Sequence, residues 1–310
     1  MIPKDMITKI AAEMKTQNIT HIEKDLYLQG LLIELEKSEY FKENFTFKGG
    51  TCLTKAYFGY YRFSEDLDFT WIKQEEFQGK SEKTVRKILS KEITKLLEIF
   101  ESSAKSLDLD FKPNKSDRHY IEFGASNRFA TFKFWYSPTS TEQKTTFIKI
   151  QINFLEKLSH SPTKMQLMPI TPQLEKYLAL EYPIYSALAT KATELYTYDL
   201  KEIAAEKARA ILTRRGFKAR DIVDLYYISK RGITIQTEKA TIIKKTIFML
   251  KYLKYAENLK NKKFPEKLDF GAETGLIITA LPKGFDKFAR KTLKELNKLA
   301  EWIRKSGIGM

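Results

Sequence analysis

Phe47-Lys48-Gly49-Gly50-Thr51-Cys52-Leu53 and, after eight intervening residues, Arg62-Phe63-Ser64-Glu65-Asp66-Leu67-Asp68-Phe69 decide how this chain is read. Phe45-Thr46-Phe47 has the pattern of a short strand running into Gly49-Gly50. Two glycines there let the backbone approach a ligand closely, and a helix that follows offers free N–H groups to phosphate. Asp66 and Asp68 stand two apart in an alternating run, so they share one face of a strand while Leu67 and Phe69 take the other. Adjacent carboxylates repel unless a cation lies between them, and hard oxygen ligands suit Mg2+. Two metals ~3.5–4 Å apart would hold a triphosphate and an attacking hydroxyl for in-line displacement.

Outward from this stretch, the first half mixes periods. Thr20–Glu39 reads as a helix, and Ser81 caps a second one with the stripe Val85, Leu89, Ile93, Leu96 and Phe100. Three β-rich runs follow at Tyr120–Phe123, Ala130–Tyr136 and Thr145–Phe154. In the last, Ile148, Ile150 and Ile152 alternate with Lys149, Gln151 and Asn153. The spacing predicts a small unit with a mixed or antiparallel sheet. From Leu200 onward the period is helical, over Leu200–Leu212, Asp221–Ile228, Glu238–Leu259 and Phe285–Arg304, which predicts a bundle. The fold class is therefore α+β. Prolines at 162, 169 and 172 suggest a break, giving expected domains 1–165 and 166–310.

Charge sharpens that division. The 310 residues carry 54 Lys+Arg against 39 Asp+Glu, a net +15. Residues 1–170 hold 26 against 23, and residues 171–310 hold 28 against 16, so the second half supplies nearly all the excess. A basic surface suits a polyanionic partner. One cysteine, Cys52, excludes a disulfide framework and a Cys-based zinc site, and three scattered histidines make no ligand cluster. The N-terminus lacks the apolar run of a signal peptide, and no stretch of ~20 apolar residues could span a bilayer. The expectation is a soluble, cytoplasmic protein with no membrane partner.

Either a lone Gly-Gly or a lone Asp-x-Asp is commonplace, but their combination, with Arg62 and Ser64 between them, is a nucleotidyltransferase signature. Gly-Gly-Thr-x-Leu followed by Arg-x-Ser-x-Asp-x-Asp-Phe resembles the AbiEii/AbiGii toxin family, which includes the MenT-type toxins. That family's second motif is matched by Glu206-Lys207-Ala208-Arg209 and Arg220-Asp221-Ile222-Val223-Asp224. The resemblance implies a DNA polymerase β-like nucleotidyltransferase core, completed by the helical basic domain and usually encoded with an antitoxin. It also implies Mg2+ (or Mn2+) on Asp66 and Asp68, an NTP held by Gly49, Gly50, Thr51, Arg62, Ser64 and Lys207, and catalytic roles for Asp66, Asp68, Lys207 and Asp221.

The second motif has a physical reading as well. Lys207 falls within the apolar stripe of its helix, where a lysine either snorkels outward or reaches an internal anion. Asp221 shares a face with Leu225 and Ile228, whereas Asp224 is placed to pair with Arg220 at i,i+4. One departure from polymerase β-like enzymes stands out. The strand expected to carry a third carboxylate offers Lys149, Gln151 and Asn153 instead, and an amide cannot act as an anionic base. Glu122 and Glu156 are the carboxylates that could stand in. The aromatic run Phe132, Phe134, Trp135, Tyr136 reads as sheet core, and His119 beside Arg118 as a loop position. The reading is a metal-dependent toxin that transfers a nucleoside monophosphate from an NTP to RNA, with the tRNA 3′ end as the favoured acceptor. Transfer to a protein or small molecule, or a weakly active nucleotide-binding module, are the alternatives. Which NTP is used, the oligomeric state and the antitoxin type are not encoded in any motif.

Overall fold

The computed structural model describes residues 1–124 and 127–307. Seven strands form one mixed sheet: β1 (Phe45–Lys48), β2 (Asp66–Trp71), β3 (Ile121–Gly124), β4 (Phe129–Tyr136), β5 (Thr146–Asn153), β6 (Thr163–Leu167) and β7 (Thr193–Thr197). Their spatial order is β3-β4-β5-β2-β1-β7-β6. Central β2 runs antiparallel to β1 and parallel to β5, so Asp68 lies across from Lys48 on one side and Gln151 on the other. Asp66 lies across from Lys149. Beyond β5, β4 and β3 continue antiparallel, while β7 pairs parallel with β1 and antiparallel with β6.

Period-two alternation sorts the side chains of this sheet. Leu67, Phe69, Phe132, Phe134, Ile148, Ile150 and Ile152 are fully buried. Phe100, on the helix Glu82–Ser106 capped by Ser81, meets Phe132 edge-on at 4.8 Å, and Phe41 does the same to Phe69 at 4.9 Å. Burying each such side chain contributes about 1.5–3 kcal/mol. The opposite face is the polar one and carries Asp66, Asp68, Lys149 and Gln151, all partly exposed.

The chain divides into two compact units. The first comprises Met1–Glu156 and Pro162–Thr197, and the second comprises Lys157–Ser161 and Tyr198–Met310. The expected boundary at residue 165 is corrected, because it falls inside β6. Prolines 162, 169 and 172 flank an edge strand, where a missing N–H is tolerated. They punctuate the sheet rather than end it. The segment placed with the helical domain also contributes β7, whose Thr193, Leu195 and Thr197 are buried while Glu194 and Tyr196 are not.

The second unit contains the helices Leu200–Thr213, Ala219–Ser229, Lys239–Leu250, Leu253–Lys260 and Phe285–Lys305. The single helix expected over 238–259 is broken at Lys251-Tyr252. Lys157–Ser161 belongs here because of one buried carboxylate. Glu202 accepts the Ser159 and His160 N–H groups at 3.0 Å each and the Lys245 ammonium at 2.6 Å, and Lys245 also donates to the Lys157 carbonyl at 2.8 Å. Both charged side chains are wholly excluded from solvent. No helix among the described residues is long and apolar enough to cross a membrane.

Candidate active site

Gly49 follows β1 with φ +79°, a left-handed conformation that favours glycine. Its missing side chain matters for a second reason. A Cβ there would overlap Asp68 Oδ2 and stand 3.0 Å from Asp68 Cγ, so the backbone turn and the carboxylate are in direct contact. Gly50 is cramped in the same way by the guanidinium of Arg62, which would lie 3.1 Å from an added Cβ at its central carbon. Thr51 Oγ1 donates to the Asp66 carbonyl at 2.5 Å, fastening the glycine turn to the start of β2. Arg62 is buried and donates to the Phe63 carbonyl at 2.8 Å. Ser64 is half-buried two residues before Asp66. The structure therefore gathers Gly49, Gly50, Thr51, Arg62, Asp66 and Asp68 around one turn.

Behind the turn lies a support that the sequence does not announce. Lys55, on the short π-helical stretch Leu53–Phe58, is buried and reaches Asp25 and Gln29 at 3.0 Å each and Tyr60 Oη at 2.5 Å. Burial pushes its ammonium pKa down, against the pull of Asp25. Cys52 is buried rather than reactive, and burial, with Asp68 nearby, pushes its thiol pKa up.

Lys149 is the residue whose place sequence reasoning missed. Its ammonium is 3.2 Å from Asp66 Oδ1, with a third of the lysine side chain exposed. That same oxygen is buried and has no hydrogen-bond partner of suitable geometry. Alternation along β5 put Lys149 on the polar face, but only the parallel register with β2 sets it against Asp66. Gln151, one pleat on, occupies the position beside Asp68 where a third carboxylate was sought. Glu122 does not replace it, since it lies on β3, three strands from β2, paired with Lys133 at 2.5 Å. Among the described residues no three His, Cys, Asp or Glu side chains converge in a metal-binding group. The donor chemistry nonetheless fits a hard divalent cation. It comprises two carboxylates on one face, one with a buried oxygen that Lys149 pairs with by charge but does not hydrogen-bond, and a neighbouring amide.

Lys207 and Asp221 lie in the second unit and bond each other at 3.2 Å. Lys207 also pairs with Asp224 at 2.5 Å, and Arg214 holds the other Asp221 oxygen at 2.7 Å. So the lysine in the apolar stripe reaches internal anions instead of snorkelling. Asp224 is fully buried, with Lys207 as a charge partner. Arg220 pairs with Glu273 at 3.2 Å. Burial pushes the Asp221 carboxyl up, but Lys207 and Arg214 outweigh it and hold its pKa below the ordinary value. Lys262 donates to the Arg214 and Gly216 carbonyls, and burial beside Arg214 lowers its pKa to about 8. Burial next to Arg220 and Arg214 lowers Lys218 as well.

The family model described as nucleotidyl transferase AbiEii toxin, type IV toxin–antitoxin system, matches residues 32–305. The chain belongs to this family. No curated protein matches it significantly. This AbiEii protein is thus a nucleotidyltransferase toxin, and its family implies a nucleotide substrate and an antitoxin partner. The match spans both the glycine turn with its Asp66–Asp68 strand and the Lys207–Asp221–Asp224 cluster.

Proposed function

We propose that this AbiEii protein transfers a nucleoside monophosphate from an NTP to the 3′-hydroxyl of RNA, with tRNA as the favoured acceptor. The observation that carries the reading is the contact between Gly49 and Asp68, which presses a phosphate-accepting backbone turn against a carboxylate on the β2 face. N–H groups at the start of Gly49–Cys52 receive phosphate oxygens, and the buried Arg62 guanidinium adds charge behind Gly50. Asp66 and Asp68 hold Mg2+ or Mn2+, which supplies charge neutralisation to the triphosphate. Asp68 accepts the proton of the attacking hydroxyl, since Gln151 beside it cannot. Lys207 offers phosphate a positive point charge, and Asp221 and Asp224 hold and orient it. The RNA acceptor is supported by the basic excess after residue 170.

Labelled NTPs incubated with Mg2+ and either total RNA or protein lysate test this. Label on RNA, lost in Asp66→Asn and Asp68→Asn, is expected. Label on protein would favour the second reading of this chemistry. Label on neither would favour a nucleotide-binding module of low turnover, a reading that Gln151 in the third position supports.

A further inference from the structure

The β-sheet register extends the polar face beyond the carboxylates. Across from Asp66 stands Lys149, and across from Lys149 stands Lys133 of β4. One pleat further, Phe147 and Trp135 face each other, with ring centroids 4.6 Å apart. His119 completes this row. Its ring stacks on Trp135 at 4.2 Å with an interplanar angle of only 4°, and its carbonyl accepts the indole N–H at 3.0 Å. Asp117 in turn accepts the His119 N–H at 2.9 Å, which fixes the loop. The aromatic run expected to be core is therefore split by the pleat. Phe132, Phe134 and Tyr136 are buried, whereas Trp135 and Phe147 are half-exposed and His119 is exposed.

We propose that this row, His119–Trp135–Phe147 flanked by Lys133 and Lys149, is the platform on which the unpaired terminal bases of a single-stranded RNA acceptor stack. Three features favour RNA over a peptide. The His119 and Trp135 rings already lie parallel, so a base adds to a preformed stack, and base–aromatic stacking accepts any sequence. Cations accompany the rings: the Lys133 ammonium lies 5.8 Å from the Phe147 ring centroid, and Arg118 is exposed next to His119. Glu122 offsets Lys133 at the rim, but its side chain is 54% exposed and screened. Finally, the row leads to Asp66. Two strand spacings and two residues separate Asp66 from Trp135, a distance of ~12 Å that the last nucleotides of a strand can bridge. This inference rests on the RNA-transfer reading, which it deepens by placing the acceptor.

The test is fluorescence anisotropy with a short labelled single-stranded RNA bearing a free 3′-hydroxyl, in parallel with steady-state transfer. His119→Ala, at an exposed position, and Trp135→Leu should each weaken binding about fivefold or more, the lower range for one lost stack. Both should raise KM for RNA while KM for NTP stays unchanged. Trp135→Phe, which keeps a ring, should restore most of the affinity. Unchanged binding in both His119→Ala and Trp135→Leu overturns the platform, as does equal affinity for a blunt duplex. An equal loss of transfer to a protein acceptor overturns it too. If the wild type labels no RNA yet binds the single strand through Trp135, the transfer reading falls and the platform stands. If Trp135→Leu labels RNA with unchanged KM, the platform falls and the transfer reading stands.

Discussion

Replacing Gly49 with alanine adds one methyl group at the point where turn and carboxylate touch. Two costs follow. At φ +79° an L-residue pays about 1–2 kcal/mol for the left-handed conformation. The methyl would also stand 3.0 Å from Asp68 Cγ and overlap its Oδ2, so the carboxylate oxygen must withdraw by ~1 Å to regain ordinary contact. A misplacement of about 1 Å in a reacting group can cost ~10²-fold in rate. The expected result is a melting temperature lower by roughly 2–8 °C together with a ~10²-fold fall in transfer. Differential scanning fluorimetry and transfer from a labelled NTP measure the two. Gly59 is the control, having φ +72° and nothing within 4 Å of an added Cβ. Gly59→Ala, where ψ −171° makes the backbone strain larger still, should show at least as large a melting shift and keep its rate. If Gly49→Ala is destabilised but transfers as well as Gly59→Ala, the position of Asp68 does not govern the chemistry, and the reasoning fails.

Lys207→Met should destabilise the second unit by up to ~3–5 kcal/mol in urea unfolding, because it removes a charge partner from both Asp221 and fully buried Asp224. A midpoint unchanged in urea would contradict that. Asp221 has a pKa below its ordinary 3.8 in the folded state, so its contribution to stability is present above that value and lost as pH falls through the folded pKa. The stability advantage of wild type over Asp221→Asn should therefore shrink below pH ~3.8, and a gap that widens in acid would reverse the sign. If the basic half contacts ~4–6 phosphates, log affinity for RNA should fall against log salt with a slope of about −3 to −4. Arg215→Glu should flatten that slope, whereas Lys245→Glu is expected to unfold the protein, since it sets a carboxylate against buried Glu202.

The parts of the fold legible in the sequence are those where one period dominates a segment. Ser81 and the stripe from Val85 to Phe100 gave the long helix, and the Ile148–Ile152 alternation gave β5. What escaped was pairing between segments distant in the chain. β7 has ordinary strand alternation but only five residues, and nothing local says that it lies beside β1. Lys149 and Asp66 are 83 positions apart, and only the parallel register brings them to 3.2 Å. Lys244-Lys245 reads as a basic surface pair, yet Lys245 is wholly buried against Glu202. A lysine followed by Thr246, in a helix with hydrophobic residues on several sides, gives no local cue to its inward turn. At the site, the glycine turn and Asp66–Asp68 were evident because their spacing is local. Trp135 could have been separated from its aromatic neighbours by strict alternation along β4.

The Glu202–Lys245 clasp has a practical consequence for dissecting the molecule. Because it recruits Lys157–Ser161, the helical unit is assembled from two separate pieces of chain, and the polypeptide passes between units at three places. A fragment beginning at Tyr198 would omit the Ser159 and His160 amides and the Lys157 carbonyl, taking three hydrogen-bond partners from the buried Glu202–Lys245 pair. Expressed by itself, that fragment should be poorly soluble, and no single scission would release two native halves. For this toxin, a cut before Tyr198 therefore does not yield a self-sufficient helical half.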